Sequence, residues 1–342
     1  MKLWCGRQNG VLRSLHIACV QSIFSLQSIA LKIVAVLVAL LLAAAGFWLW
    51  TPDKNRAALE AKYLNAPTDI IEVAGVRLHV RDSGPQIAGK AAPAVVLIHG
   101  FGGSLHSWEA WAAGLASSHR VIRFDLPGSG LSSPDPSGDY TDARTLQLMI
   151  ALLDQLGVAR ADLIGHSIGG RLAWTFAATH PERVNKLVLV APDGFASPGF
   201  VYGSAPEVSA SLKLMRFALP KALLKMSLAP AYGNPKFMTD ALATRYHDLM
   251  LAPGSRDALI ARMQQTVLVD PLPLLKRIEA PTLLVWGEAD AMIPFANSAD
   301  YLKALGNVKP ANVKLAAFKG IGHLPQEEAA GDSLKAVEEF LR

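Results

Sequence analysis

The stretch LIGHSIGGRLAW, residues 163–174, places one serine, Ser167, among three glycines. An apolar run precedes it, and a helix-forming segment follows at once. A serine at so sharp a strand-to-helix turn has strained backbone angles, and a side chain two residues before or after it would collide across the turn. Glycine at positions 165 and 169 removes that collision. The pattern therefore predicts that the Ser167 hydroxyl is presented at the carboxyl edge of a sheet, where ligands bind.

Apolar runs of the same kind recur along the chain, with helical stretches between them. Such runs are typical of strands buried on both faces of a parallel sheet, so strand and helix in alternation predict an open α/β sheet. Residues 69–82 alternate around Gly75 like a hairpin. The runs lie at 94–100, 121–128, 161–167, 186–192, 282–288 and 313–318. No such run appears over residues 193–269, an interval too long for a simple connection, which predicts a helical lid insert.

The N-terminal part contains an uncharged run, IVAVLVALLLAAAGFWLW, at residues 33–50. As a helix it would span roughly 27 Å, and its aromatic end suits the headgroup level of a bilayer. A cleaved signal peptide, with Ala43 to Ala45 as its site, is the alternative, but the hydrophobic run continues past that site. We therefore expect an N-terminal cytoplasmic segment at 1–28, a transmembrane anchor at 29–50, a linker at 51–68 and an α/β domain at 69–342.

The formal charge of +5 is concentrated before the domain. Residues 1–52 hold four basic residues and no acidic one, which leaves 29 basic against 28 acidic residues in the rest of the chain. The domain shows no basic stripe, so we expect no nucleic-acid partner. The more basic N-terminal side predicts that it stays in the cytoplasm and that the domain is exported. Cys5 and Cys19 both precede the anchor, so the domain has no disulfide and no cysteine nucleophile.

A serine nucleophile needs a base within hydrogen-bond reach, and an acid to orient that base. On this kind of sheet the three follow one another as Ser, acid and His. His323, in KGIGHLPQEE, comes after the last candidate strand, whereas His247 lies in the predicted lid. His323 is therefore the predicted base.

The acid is predicted to be Asp290, in WGEADAMIP, because it stands just past the strand TLLVW. Glu288 beside it and Asp193 after the preceding strand are the rivals. Asp290 could also serve only to close an Asx turn. That role would explain the residue type but not its pairing with a later GxGH.

A tetrahedral intermediate needs two N–H donors aimed at its oxyanion. The backbone of Ile168, the residue after the nucleophile, is one expected donor. Phe101, in the loop His99-Gly100-Phe101-Gly102-Gly103, is the other. The glycines there allow close approach of backbone to substrate. His99 is expected to be a structural hydrogen-bonding residue.

With HGFGGSLHSW, FDLPGSGLSS, GHSIGG, WGEADAMIP and GIGHLPQEE in this order, the chain resembles the α/β-hydrolase superfamily over about residues 69–342. The resemblance implies Ser167 as nucleophile, Asp290 and His323 as its partners, Phe101 and Ile168 as oxyanion donors, and a lid between the sixth and seventh strands. Haloalkane dehalogenases and epoxide hydrolases with this fold use Asp where this chain has Ser167, which disfavours both chemistries. Carbon–carbon bond hydrolases and haloperoxidase-like esterases share the serine triad.

The leading hypothesis is a membrane-anchored serine hydrolase that cleaves small carboxylic esters of apolar acyl groups. A carbon–carbon bond hydrolase with the same triad and a non-catalytic binding protein are the alternatives. Five apolar lid residues suggest an acyl pocket or, equally, packing of the lid on the core: Leu214, Met215, Phe217, Leu223 and Met226. Without an HExxH motif, a dinucleotide fingerprint or a P-loop, no metal or cofactor is expected.

Overall fold

The computed structural model describes residues 29, 31–85, 92–196, 201–305 and 312–342. It separates an N-terminal unit that ends at Trp50 from a compact unit, Thr51–Arg342. The first unit contains helix α1, Leu31–Leu49, whose mean hydropathy of 2.4 and length of 19 residues suffice to cross a membrane. The predicted cytoplasmic segment 1–28 lies outside the described residues.

One mixed sheet forms the centre of the compact unit, with strand order β1-β2-β4-β3-β5-β6-β7-β8. The strands from β3 to β8 are parallel, and β1 and β2 are antiparallel to their neighbours. Ala74 and Gly75, with φ of 45° and 84°, close the predicted β1–β2 hairpin. The strands are β1 Ile70–Val73, β2 Val76–Ser83, β3 Ala94–Ile98, β4 Arg120–Phe124, β5 Ala161–His166, β6 Val184–Val190, β7 Thr282–Gly287 and β8 Val313–Phe318.

Helices cover both faces of this sheet because side chains alternate between the faces along each strand. On β3, Val96 and Ile98 pack into one cluster with helices α4 and α5, whereas Val95 and Leu97 pack into another with α3 and α13. The helices are α2 Arg56–Tyr63, α3 Glu109–Leu115, α4 Asp142–Gln155, α5 Ile168–Thr179, α6 Ala210–Lys213, α7 Lys221–Leu228, α8 Asp240–Met250, α9 Ser255–Gln265, α10 Leu272–Leu275, α11 Asn297–Leu305, α12 Pro325–Glu328 and α13 Ala330–Leu341.

The segment between β6 and β7 contains helices α6 to α10 and carries a hydrophobic cluster distinct from the two that flank the sheet. This lid core includes Met215, Leu224, Tyr246 and Ile260. Leu324, beside the predicted base, also belongs to it. The lid therefore packs mainly on itself and meets the sheet near the carboxyl edge.

Residues 51–68, predicted as a linker, fold against the lid. Their helix α2 buries Leu59, and the side chain of Asp248 on α8 accepts hydrogen bonds from Lys54, Lys62 and Tyr63 at 2.5, 2.7 and 2.8 Å. The polar composition of this stretch did not reveal the packing, because its partners lie more than 180 residues away in the sequence.

Candidate active site

Ser167 occupies the turn between β5 and α5 with φ of 54°, a left-handed conformation that L side chains rarely adopt. A Cβ at Gly165 would lie 2.1 Å from the carbonyl oxygen of Gly169, across the turn. A Cβ at Gly169 would lie 2.3 Å from the carbonyl oxygen of Ile98, on the neighbouring strand β3. One glycine is thus required by the turn, and the other by its packing against the next strand.

His323 and Asp290 are joined by a hydrogen bond of 2.8 Å between Nδ1 and Oδ2, and both side chains are buried. The other carboxylate oxygen of Asp290, Oδ1, accepts the backbone N–H groups of Met292 and Ile293 at 2.8 and 2.9 Å. Asp290 therefore closes a turn and holds the imidazole at the same time. The two roles weighed for it from the sequence use different oxygens.

The rival residues point elsewhere. Glu288 is exposed, and Asp193 Oδ2 lies 3.0 Å from Nε of Arg171. His247 Nε2 donates to the carbonyl oxygen of Leu219 at 2.8 Å within the lid. Among the carboxylates that the structure describes, Asp290 is the one hydrogen-bonded to His323.

His166, which the sequence analysis did not single out, packs against the predicted base. Its Nε2 donates to the carbonyl oxygen of His323 at 2.9 Å, and the two ring centroids are 4.6 Å apart. Burial holds the pKa of His166 well below its usual value, and the neighbouring His323 lowers it further. This neutral ring fixes the backbone of the base. His166 stands at the first variable position of G-x-S-x-G. Because the motif accepts any residue there, it does not by itself identify His166 as part of the site.

The predicted oxyanion donors lie on either side of the serine. Ile168 is the first residue of α5, where a helix leaves its N–H groups without intrahelical acceptors. Phe101 follows β3 and lines the cavity described below. Neither N–H donates to another residue in the part of the chain that the structure describes. Both ring nitrogens of His99, by contrast, are engaged by backbone groups of Gly100 and Leu126.

Ser167 and His323 line one cavity of about 120 Å³. None of the described residues around it is Lys, Arg, Asp or Glu, so the lining is uncharged if the histidines are neutral. No hydrogen bond joins Ser167 Oγ to the imidazole among the described residues, and such bonds in serine enzymes often tighten only when substrate binds. The lining residues are Gly100, Phe101, Gly103, Ser107, His166, Ser167, Leu228, Ala231, Tyr232, Met238, Tyr246, Met292, His323 and Leu324.

The lid contributes different side chains to this cavity from those expected. Met215 is buried in the lid core, and the other four expected residues, Leu214, Phe217, Leu223 and Met226, are 57–71% exposed. None of the five lines the cavity, and the four exposed ones do not pack the lid on the core either. Both expectations are therefore wrong for these four. The lid side chains that do line the cavity are Leu228, Ala231, Tyr232, Met238 and Tyr246.

The family model for the alpha/beta hydrolase fold matches residues 93–330. The chain belongs to the α/β-hydrolase family. It is 30% identical to a 2-hydroxy-6-oxononadienedioate/2-hydroxy-6-oxononatrienedioate hydrolase of Burkholderia vietnamiensis, over 82% of this chain and 96% of the relative. It is 27% identical to a 2-hydroxy-6-oxo-6-phenylhexa-2,4-dienoate hydrolase of Comamonas testosteroni, over 73% and 87%. The enol-lactonase structure from Burkholderia xenovorans matches with a TM-score of 0.67 and 25% identity, over 80% and 99%.

This α/β-hydrolase presents its candidate site where the family's fold places ligands, at the carboxyl ends of the parallel strands. Ser167 follows β5, Asp290 follows β7 and His323 follows β8. Within the described residues, no group of three or more His, Cys, Asp or Glu is arranged to hold a metal ion.

Proposed function

We propose that this hydrolase uses Ser167, His323 and Asp290 to attack the carbonyl carbon of an uncharged, apolar substrate. The observation that supports this most directly is the cavity shared by Ser167 and His323, with the imidazole bonded on its other side to Asp290. Nucleophile, base and orienting acid are the three parts that covalent catalysis by serine requires.

The proposed chemistry assigns one step to each group. Ser167 Oγ forms a bond to the carbonyl carbon while its proton passes to Nε2 of His323. Asp290 keeps the Nδ1–H oriented and stabilises the imidazolium. The N–H groups of Phe101 and Ile168 would bind the oxyanion. The imidazolium then protonates the leaving group, and water, deprotonated by the same histidine, releases the acyl group from Ser167.

Cleavage of a carbon–carbon bond is the first specific candidate, and the similarity to named relatives favours it over ester cleavage. The relatives from Burkholderia vietnamiensis and Comamonas testosteroni are both named as hydrolases of 2-hydroxy-6-oxo compounds. The leaving group would then be a carbon atom that takes the proton from His323.

Cleavage of an ester with an apolar acyl group is the second candidate, and the cavity favours it. The substrates in the names of those two relatives are carboxylates. Burying a carboxylate without a cationic partner is costly, and no described lining residue here is Lys or Arg. The enol-lactonase among the similar structures is named for a cyclic ester.

Labelling with a fluorophosphonate tests the nucleophile. The wild-type protein should be labelled covalently, and Ser167→Ala should not. Ser107→Ala is a matched control, since Ser107 lines the same cavity while its hydroxyl donates to the carbonyl oxygen of Ser104. Absence of labelling in the wild type would instead favour a binding protein on a hydrolase scaffold.

A substrate panel tests the bond. Turnover of p-nitrophenyl esters of increasing acyl length would be compared with turnover of two vinylogous diketones, one with a carboxylate and one without. Preference for the carboxylate diketone would contradict the uncharged substrate. Preference for the esters would select the second candidate.

We also propose that α1 is retained as a single membrane anchor, with residues 1–28 in the cytoplasm and the catalytic domain exported. The length and hydropathy of α1 support this. In sealed right-side-out vesicles, Cys5 and Cys19 should resist a membrane-impermeant maleimide until detergent is added. Immediate labelling would reverse the orientation, and a mature protein that begins after Ala45 would show a cleaved signal peptide.

A further inference from the structure

Four large apolar side chains of the lid point to solvent within a short stretch. We name Leu214, Phe217, Leu223 and Met226 the lid outer face. Their exposed fractions are 60, 57, 57 and 71%. Apolar groups of this size concentrated on one segment are typical of a surface that binds a protein or a membrane.

The segment that carries the lid outer face is basic. Residues 209–228 contain four basic residues and no acidic one. Arg216 pairs with Asp257 at 3.1 Å and Lys225 pairs with Asp240 at 2.5 Å. For Lys213 and Lys221 the described residues include no ion pair. Apolar side chains interspersed with lysines match the interfacial layer of an anionic bilayer, where rings and aliphatic groups enter and ammonium groups meet headgroups.

The compact unit begins directly beside this surface. The N–H of Thr51 donates to the carbonyl oxygen of Phe217 at 2.9 Å, and Thr51 Oγ1 accepts from the N–H of Leu219 at 3.1 Å. Arg256 on α9 donates to the carbonyl oxygen of Thr51 at 2.7 Å. Thr51 follows the last residue of the apolar segment, Trp50, by one peptide bond. If residues 29–50 span a membrane, the backbone of Phe217 is thus tied to a residue about 3.8 Å from the end of the span.

We propose that the lid outer face binds the surface of a bilayer that contains anionic lipid. The proposal rests on the membrane anchoring proposed above. The anchor makes this second contact intramolecular, so that a patch too weak to bind membranes alone is held at high effective concentration. The covalent connection, the exposed apolar area and two lysines without an ion pair among the described residues all point to a lipid surface as the partner.

Helix α7 joins this surface to the active-site cavity. Leu223 and Met226 face outward, Leu224 packs in the lid core, and Leu228 at the end of the helix lines the cavity. A substrate dissolved in the bilayer would then reach the cavity along one helix. Membrane contact and access of apolar substrates are therefore expected to depend on the same residues.

Site-specific fluorescence tests the contact without requiring turnover. The full-length chain, with Cys5→Ser and Cys19→Ser, contains no other cysteine. Single variants Phe217→Cys and Met226→Cys would carry an environment-sensitive fluorophore in nanodiscs of phosphatidylcholine and phosphatidylglycerol. Leu315→Cys, at an exposed leucine on β8, is the matched control. Nitroxide-labelled lipid should quench the probes at 217 and 226 at least about twofold more than the probe at 315. Equal quenching at all three positions would overturn the proposal.

Charge reversal gives a second, independent measurement. Lys213→Glu with Lys221→Glu should lower quenching of the probe at 226 in phosphatidylglycerol discs by about twofold or more, and leave it unchanged in pure phosphatidylcholine. The control, Lys314→Glu with Lys319→Glu, makes the same change of charge near β8 and should have no effect. An equal fall in quenching of the probe at 226 in both double variants would contradict the assignment of anionic lipid to this face.

The outcomes separate the two proposals. If the full-length chain does not enter nanodiscs, the proposed anchor is wrong, and the proposed contact of the lid outer face with the membrane is wrong with it. Loss of hydrolysis of a water-soluble ester bears only on the catalytic proposal. Phe217→Ser with Leu223→Ser should lower kcat/KM for a bilayer-dissolved substrate by about tenfold, and change it for the soluble ester by less than about twofold. Equal losses on both substrates would contradict delivery from the membrane.

Discussion

Asp290 and His323 meet because the loops after β7 and β8 approach each other unusually closely. A Cβ at Gly287, the last residue of β7, would lie 2.1 Å from the carbonyl oxygen of Gly322, the residue before the histidine. The absence of a side chain there allows the carboxylate to reach the imidazole at 2.8 Å. Gly287 is thus part of the geometry of the proposed triad.

Asp290→Asn should lower kcat by about 10⁴-fold, since an amide favours the wrong tautomer of His323 and cannot stabilise an imidazolium. Steady-state kinetics on the best ester of the panel would measure this. Glu288→Gln is the control, because it replaces a carboxylate by an amide at an exposed side chain two residues away. Comparable losses in the two variants would remove Asp290 from its proposed role.

His166→Phe should lower kcat about tenfold while KM changes less than about twofold. The phenyl ring keeps the packing against His323 but cannot donate to its carbonyl oxygen. His166→Ala loses both interactions, so its kcat and its melting temperature should both be lower than those of His166→Phe. A pH–rate profile would show whether the apparent pKa of the base moves in the Phe variant. Wild-type kcat and an unmoved profile would mean that His166 serves packing alone.

Gly165→Ala should destabilise the fold by about 2–3 kcal/mol or prevent folding, since the new Cβ would lie 2.1 Å from the carbonyl oxygen of Gly169. Gly331→Ala provides the comparison, because among the described residues no atom beyond its chain neighbours and its own helix backbone lies within 4 Å of its Cβ position on α13. That change should be neutral or stabilise by up to about 1 kcal/mol. Denaturant unfolding in detergent measures both, and a tolerated Gly165→Ala would show that the turn can relax.

Asp162→Asn should stabilise the protein at pH 8 more than at pH 4. Burial raises the pKa of Asp162 on β5 to about 6, and the positive charge of the nearby Lys186 offsets only part of this rise. Because this folded-state pKa lies above the ordinary value of 3.8, the free energy of unfolding falls as the pH rises from about 4 to about 6, and this contribution is constant above that. The neutral amide should remove this loss, which amounts to about 1–3 kcal/mol of the free energy of unfolding at pH 8.

Unfolding curves of wild type and Asp162→Asn at pH 4, 5, 6 and 8 would measure this difference. A stability gap between the two proteins that does not change with pH would contradict a raised pKa in the folded state.

The sequence was sufficient for the strands and for the residues at their carboxyl ends. Apolar runs identified the parallel strands, and chain order placed Ser167, Asp290 and His323 after β5, β7 and β8. The expectation that every such run is buried on both faces is wrong for β8, which lies at the edge of the sheet and exposes Leu315. These features are local, because a buried parallel strand must be apolar along its whole length, and a nucleophile at a sharp turn needs small neighbours.

Features that depend on distant partners were missed. Leu223 and Leu224 are adjacent and chemically identical, yet one is exposed and the other belongs to the lid core. Which side of a lid helix faces inward depends on how the lid folds on itself, and short helices give too few turns for a periodic pattern to show it. The packing of residues 51–68 likewise depends on Asp248, far along the chain.

The lid has a hydrophobic core of its own, so mutations in the lid core and mutations in the clusters that flank the sheet act on different parts of the molecule. Of the buried residues that the structure assigns to the lid core, Leu324 alone comes from outside the segment between β6 and β7. Substitutions among the apolar residues of the lid core can therefore reshape the cavity wall while the two clusters that flank the sheet keep their own packing. New substrate ranges can arise by altering the lid core while the core of the sheet is preserved. The two must stay compatible at Leu324 and at Ala231, whose carbonyl oxygen accepts the N–H of His323 at 2.6 Å.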